Sequence, residues 1–116
     1  MSLTERQVPT PDETAVLRYT VREGDIDEHL ALIADVYQEL HTLRPSGFEF
    51  ATYRLAGTNE FVEIASAPRL PGPLPTLPSF RRYRADLESS CSRRDFDIVT
   101  VVGQYPPKPL DGQGGE

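Results

Sequence analysis

The chain has no tryptophan, one methionine and one cysteine in 116 residues. A single thiol excludes an internal disulfide and any zinc or iron–sulfur site built from cysteines. Basic residues are also scarce: 12 Lys and Arg stand against 18 Asp and Glu, a formal charge of −6. Such a chain lacks the broad positive field that a phosphate backbone requires, so no nucleic-acid partner is expected. Apolar runs extend over only a few residues, so no membrane-spanning helix is expected. Met1 opens no charged segment followed by an apolar one, so no secretory signal is expected and the cytoplasm is the default compartment. No HExxH, no Cys/His cluster and no paired acidic ligand motif is present. Neither a metal nor a cofactor is therefore expected.

The residues that are present suit one domain with a core. Hydrophobic residues make up 38% and charged residues 26%, which argues against wholesale disorder. The 11 prolines are unevenly placed. Pro9 and Pro11 lie in a polar leader, and Pro106, Pro107 and Pro109 precede a Gly-rich end. The expected organisation is an N-terminal tail at 1–13, a domain at 14–105 and a C-terminal tail at 106–116. Pro68, Pro71, Pro73, Pro75 and Pro78 mark a central loop that can be neither helix nor central strand.

Between the tails the apolar period changes. Thr14 to Arg22 alternates, with Leu17, Tyr19 and Val21 on one face, and predicts a strand. Asp25 is a candidate N-cap with Glu28 at the third helical position. Ile26 to Arg44 then follows helical spacing: Ile26, Leu30, Ile33, Tyr37 and Leu40 share a stripe, with Val36 and Leu43 beside it. Pro45 ends it. Phe48 to Ala56 and Glu60 to Ala67 read as a hairpin about Gly57-Thr58-Asn59. Ser79 is a candidate cap for a second helix reaching about Cys91. Phe96 to Tyr105 is a β-branched strand.

The order β-α-β-β-α-β is the split βαβ, ferredoxin-like pattern of the α+β class. It predicts a four-stranded antiparallel sheet, ordered 4-1-3-2, with both helices on one face. The last strand then carries Phe96, Ile98 and Val102 on one side and Val99, Val101 and Tyr105 on the other. The second sets Phe48 and Phe50 against Tyr53 and Leu55. Two helices cover only one face of such a sheet, so a homodimer through the other face is expected.

The segments VLRYTVREGDIDEHLALIADVYQEL, RPSGFEFATYRL, FVEIASA, LPSFRRYRADLESSC and IVTVVGQY, in that order over about residues 15 to 105, resemble the dimeric α+β barrel superfamily, nearest its antibiotic biosynthesis monooxygenase-like group. The resemblance implies a dimer whose two sheets pack face to face. It also implies small-molecule chemistry: oxidation of polycyclic aromatics without metal or flavin, haem degradation, lactone isomerisation or polyketide cyclisation. The cofactor-free oxygenases use Asn, Trp, Tyr and Arg around their substrate. Here Trp is absent and the one Asn, Asn59, falls in the hairpin turn, so no catalytic residue is carried over.

The candidate site is argued from the residues themselves. His29 lies inside the apolar stripe of the first helix, one turn from its N-terminus, where the dipole disfavours imidazolium. It is either a general base or donor in a cleft or a core-edge histidine bonded to protein. His41 is rotated by about 120° and displaced about 18 Å along the axis, so the two cannot share a metal. Tyr37 on the first helix and Tyr83 on the second could line an aromatic pocket or simply pack. Arg84 falls inside the second helix's apolar arc and wants an anion, either a ligand or a carboxylate such as Glu49 or Glu63. Arg18 and Arg54 are expected at the dimer face, and Cys91 as a small apolar filler. His29, Tyr37, Tyr83 and Arg84 are thus the expected ligand-binding set, with His29 and Tyr37 bordering one cleft between sheet and helices. Its expected ligand is a small planar aromatic. A binding module without catalysis, and a domain retained only for assembly, are the alternatives.

Overall fold

The computed structural model describes residues 11–107. β1 (Glu13–Val21), α1 (Ile26–Leu43), β2 (Glu49–Arg54), β3 (Glu60–Ala67), α2 (Pro78–Ser90) and β4 (Cys91–Val99) follow one another in the expected order. The sheet runs β2-β3-β1-β4 and is antiparallel throughout. Among the described residues no helix is long and apolar enough to cross a membrane. The expected tails lie mostly outside the described residues; Glu13, expected in the first, is the first residue of β1.

The sheet has two distinct faces because strand side chains alternate. Ala15, Leu17, Tyr19 and Val21 of β1 and Phe61, Ala65 and Ala67 of β3 are buried under the helices. Val36, Leu77, Phe80, Tyr83 and Leu87 close over Leu17, Tyr19, Val21 and Phe61. Ladder partners share a face, so Val16, Ile64 and Ala51 form a row on the helix-free side, with Arg18, Val62 and Tyr53 beside it. Arg18 lies there as expected and pairs with Glu60 at 3.0 Å. Arg54 does not: it is the ladder partner of Phe61 and its guanidinium lies over that ring, 5.7 Å from the centroid.

β4 departs from expectation by starting at Cys91 and ending at Val99. Its first half, Ser92-Arg93-Arg94-Asp95, is exposed on an edge strand and therefore carries no apolar alternation to read. The pattern becomes visible only at Phe96. Val101, Val102 and Tyr105, expected within the strand, lie beyond it and are exposed. Cys91, expected at the helix end, is the first residue of β4 and packs partly against the core.

The helix starts also differ. A 3-10 turn at Glu23–Asp25 leads into α1, and Asp25 at the N-cap position makes no side-chain cap bond. α1 ends at Arg44 in the left-handed region, its N–H donating to the Leu40 carbonyl before Pro45. Its buried face centres on Ile26, His29 and Val36, whereas Leu30 and Leu43 are exposed. α2 begins with Pro78 at its first position, and Ser79 is not its cap. Glu39 of α1 instead accepts from both the Ser79 N–H and its hydroxyl. The Ser79 hydroxyl hydrogen bond, helped by its N–H, holds the Glu39 carboxyl below its ordinary range against the opposing effect of desolvation. A carboxylate here also complements the positive end of α2.

The proline loop packs on its own chain. Leu74 and Leu77 enter the core, and the Leu70 N–H donates to Glu13 Oε1 at 2.8 Å. Gly72 sits at φ +65°, and a Cβ there would lie 3.0 Å from Phe48 Cδ1. Replacing Gly72 by Ala combines a left-handed backbone with a crowded ring and should destabilise by about 1–3 kcal/mol. Thermal unfolding checks this; an unshifted midpoint would show that loop and ring yield freely.

Candidate functional site

The site begins with a charge in the wrong place for a core. β3 alternates, and its buried positions read Phe61, Glu63, Ala65 and Ala67. Glu63 is therefore turned under the helices and is 4% exposed. A buried carboxylate is tolerated only when paired and hydrogen-bonded. α2 supplies both requirements from adjacent residues. Arg84 donates Nη2 to Glu63 Oε2 at 3.1 Å and Nη1 to Oε1 at 3.3 Å, while the Tyr83 hydroxyl donates to Oε1 at 2.6 Å. Burial works to lower the Arg84 pKa, but the Glu63 carboxylate outweighs it and the guanidinium is held charged.

From Tyr83 the polar contacts continue inward. Its hydroxyl oxygen lies 2.9 Å from that of Tyr19, which lies 2.9 Å from His29 Nε2. His29 is fully buried. Its ring is held edge-on to Tyr19 and Phe61, with centroids 5.3 and 5.1 Å away. Its Nδ1 has no hydrogen-bond partner; Asp86 Oδ2 stands 3.6 Å away. Asp86 is partly exposed and is steadied by the Ser90 hydroxyl, which donates to Oδ2 at 3.1 Å. Burial pushes the His29 pKa down, opposed by Asp86 and more weakly by Glu63. It pushes the Tyr19 and Tyr83 phenols up, Tyr83 further under the charge of Glu63. Both phenols remain protonated at any physiological pH.

The outer end of this chain opens on a cleft. Glu63 and Arg84 form its polar end, and Leu17, Ala65, Leu74 and Phe96 are among its apolar walls. The sheet, the proline loop and α2 enclose a volume of about 80 Å³. A second, more open hollow of about 370 Å³ lies where α1 ends, lined by Tyr37, Leu40, His41, Arg44, Phe48 and Phe50 among others.

His29, Tyr83 and Arg84 thus belong to one constellation, and Arg84 alone of the three reaches a cleft. The structure separates Tyr37 from them: its hydroxyl bonds Thr52 Oγ1 at 2.8 Å, it stacks on Phe50, and its phenol is pushed up to about 12 by burial. The expected single cleft bordered by His29 and Tyr37 is therefore not formed. His29 faces the sheet rather than a cavity, because α1 packs with His29 and Val36 innermost. Tyr19 and Asp86 fall outside the expected set, and Glu63 enters it only as a candidate partner of Arg84. Two of them were signalled by period-two patterning: Glu63 replaces an apolar residue on the buried face of FVEIASA, and Tyr19 shares a face with Leu17 and Val21. Asp86 has no such signal.

The His29 shift has a measurable consequence. In the unfolded chain this residue titrates at its ordinary 6.5, and in the folded protein below that. The unfolded state therefore binds more protons between the two values, and stability falls as pH drops through about 6.5, by at most about 1.4 kcal/mol per pH unit. Denaturant unfolding of the wild type and of His29→Gln from neutral to mildly acidic pH should show a slope in this window that the variant loses. Equal slopes would place the lost stability elsewhere.

At the level of sequence, no family model and no curated protein matches the chain significantly. Solved structures do. SnoaB, a cofactor-independent oxygenase from Streptomyces nogalater, superposes with a TM-score of 0.62 at 20% identity, covering 84% of this chain and all (100%) of that one. A protein named as a candidate antibiotic biosynthesis monooxygenase from Bacteriodes thetaiotaomicron gives a TM-score of 0.71 at 10% identity, covering 85% and 97% of the two chains. A similarly named protein from Nitrosomonas europaea gives 0.66 at 12% identity, covering 88% and 99%. With its four antiparallel strands, two helices and β-α-β-β-α-β order, this chain has the ferredoxin-like α+β fold of the antibiotic biosynthesis monooxygenase-like proteins.

Proposed function

We propose that the cleft under the sheet binds one edge of a small phenolic or enolic aromatic molecule and supports its oxygenation without a cofactor. The observation that carries this reading is the Glu63–Arg84 pair at the polar end of an otherwise apolar cleft. Glu63 accepts a proton from the bound edge, and Arg84 holds the resulting oxyanion. An electron-rich carbanion of this kind can itself reduce dioxygen, so substrate supplies the electrons and oxygen is the oxidant. That one structural relative is named a cofactor-independent oxygenase supports the reaction class.

A volume of about 80 Å³ is well below the roughly 300 Å³ or more of a pocket for a drug-sized ligand. The cleft therefore takes the reacting edge, and the remaining rings lie outward over Phe96, which is 60% exposed. His29, Tyr83 and Tyr37 make no direct ligand contact in this reading. A homodimer through the helix-free face completes the assembly, its warrant the apolar row Val16, Ile64 and Ala51 with Val62 and Tyr53 beside it.

Thermal shift and oxygen uptake with a panel of tricyclic phenols, with and without chelator, test the cleft. Uptake is expected to survive chelation. Glu63→Gln should lower turnover about 100-fold or more while keeping ligand binding. Binding without uptake would favour a non-catalytic module; neither would remove the cleft reading. Sedimentation at micromolar concentration is expected to show a dimer, and a stable monomer would end that part of the proposal.

A further inference from the structure

The polar chain from Asp86 to Glu63 contains four contacts in series, and its protons can be counted. Glu63 accepts a bidentate pair from Arg84 and so is ionised. Tyr83 must then use its single proton on Glu63 at 2.6 Å. Tyr19 must fill the Tyr83 contact at 2.9 Å, because Tyr83 has no second proton. The Tyr19–His29 contact at 2.9 Å is then filled by a proton on His29 Nε2. A neutral imidazole has no further N–H. Its Nδ1 is left as a bare lone pair opposite the Asp86 carboxylate, and that contact is the long one, 3.6 Å, with Nδ1 buried and unpartnered. Three protons serve four contacts, and the one stretched contact is the one the count leaves empty.

We propose that Asp86, His29, Tyr19 and Tyr83 form a proton path between solvent and the cleft carboxylate Glu63, with one proton vacancy resting at the His29–Asp86 contact. What the proton does at Glu63 rests on the reading of that residue as the acid–base group of the cleft. The step is a proton transfer only. A proton arriving at Asp86 passes to His29 Nδ1 and makes an imidazolium. The Nε2–H bond then breaks as Tyr19 takes that proton, Tyr19 gives its own to Tyr83, and Tyr83 gives its own to Glu63 Oε1. The chain ends with Glu63 as a carboxylic acid and His29 neutral, its proton on Nδ1 facing Asp86. Charge moves by one across the path, and no electron is transferred. Export of a proton taken from a ligand uses the arrangement this transfer leaves behind, with Tyr83 turned toward Tyr19, Tyr19 toward His29 Nε2 and the Nδ1–H toward Asp86, so the three donors must first stand that way round. The surroundings suit this use: His29 faces Tyr19 from β1, Phe61 and the charge of Glu63 from β3, and Tyr83 and Asp86 from α2. These residues position and relay; only Glu63 and Arg84 border the cleft.

The test needs no ligand, so its failure leaves the cleft reading standing and the failure of that reading leaves this one. The full chain is labelled with nitrogen-15 histidine; its two histidines, His29 and His41, are distinguished by His41→Gln. The imidazole shifts are followed from neutral to acidic pH. At neutral pH His29 is expected as the Nε2–H tautomer, with acid adding its proton at Nδ1. Glu63→Gln, which does not touch His29, should change the apparent proton affinity of His29 on the order of threefold or more. In a Tyr19→Phe background the same substitution should leave it within about 1.5-fold, because the path is cut. Tyr83→Phe makes the same cut should Tyr19→Phe not fold. An Nδ1–H tautomer at neutral pH overturns the proposal. So does an effect of Glu63→Gln that is absent in the wild type, or one that is equal in both backgrounds and therefore acts through space.

Discussion

The helix layer is organised around one buried negative charge. Glu63 occupies a position that β3 otherwise gives to Phe61, Ala65 and Ala67, and the pleat leaves it no route to water on the helix-free side. A carboxylate so placed costs several kcal/mol unless its lone pairs are met. The residues that meet them come from one turn of α2. Tyr83 and Arg84 are consecutive, so their side chains diverge by about 100° around the helix. One enters the core and donates from within; the other reaches the same carboxylate from the cleft side. Tyr19 and His29 follow because a buried phenol oxygen beside Glu63 also needs a partner. The sequence of contacts is thus a chain of obligations, each residue satisfying the one before.

That chain constrains how α2 may sit. Asp86 is three residues beyond Tyr83 and returns to the same helical face, which brings it opposite His29. Sliding α2 by one residue would turn Tyr83, Arg84 and Asp86 away from their partners together. The start of the helix is accordingly fixed from outside. Pro78 supplies the helical φ, and Glu39 of α1 accepts the N–H and hydroxyl of Ser79. Leu77 and Leu87, each almost wholly buried, seat its two ends in the core. The proline loop before it is stiff for the same purpose: Leu74 and Leu77 enter the core while Gly72 lets the backbone pass close to Phe48.

Much of the fold was legible because its central elements alternate cleanly. Leu17, Tyr19 and Val21 named the buried face of β1, and the short turn at Gly57 to Asn59 named the hairpin. β4 was legible only where it becomes apolar, since an edge strand exposed on both faces has no reason to alternate. The site was legible by composition but not by arrangement. His29 stood out inside an apolar stripe, and Arg84 pointed to Glu63 among its candidate partners. The grouping of His29 with Tyr37 assumed that α1 presents one stripe to one cleft. Tyr37 instead leans over the β2 edge toward Thr52 and Phe50, while His29 packs over β1 and β3. Which neighbour a helical residue meets depends on the tilt of the helix across the sheet, and single-chain periodicity carries no tilt.

The shortage of tryptophan takes on meaning in this light. The aromatic residues of the core stack and pack as any rings do: Tyr19 lies on Phe61 with centroids 5.3 Å apart, and Phe80 lies against Tyr83. An indole could fill the same volume, but its N–H only donates. A phenol both donates and accepts, and so can stand in the middle of a chain between a carboxylate and an imidazole. Phenylalanine would keep the packing and break the chain at that point. Tyrosine at 19 and 83 therefore serves two requirements with one side chain. The core is packed by faces of rings whose edges carry the polar path, and the path emerges where Arg84 and Glu63 meet the cleft. The carboxylate at the polar end of that cleft is in this way linked to a buried histidine that does not border it.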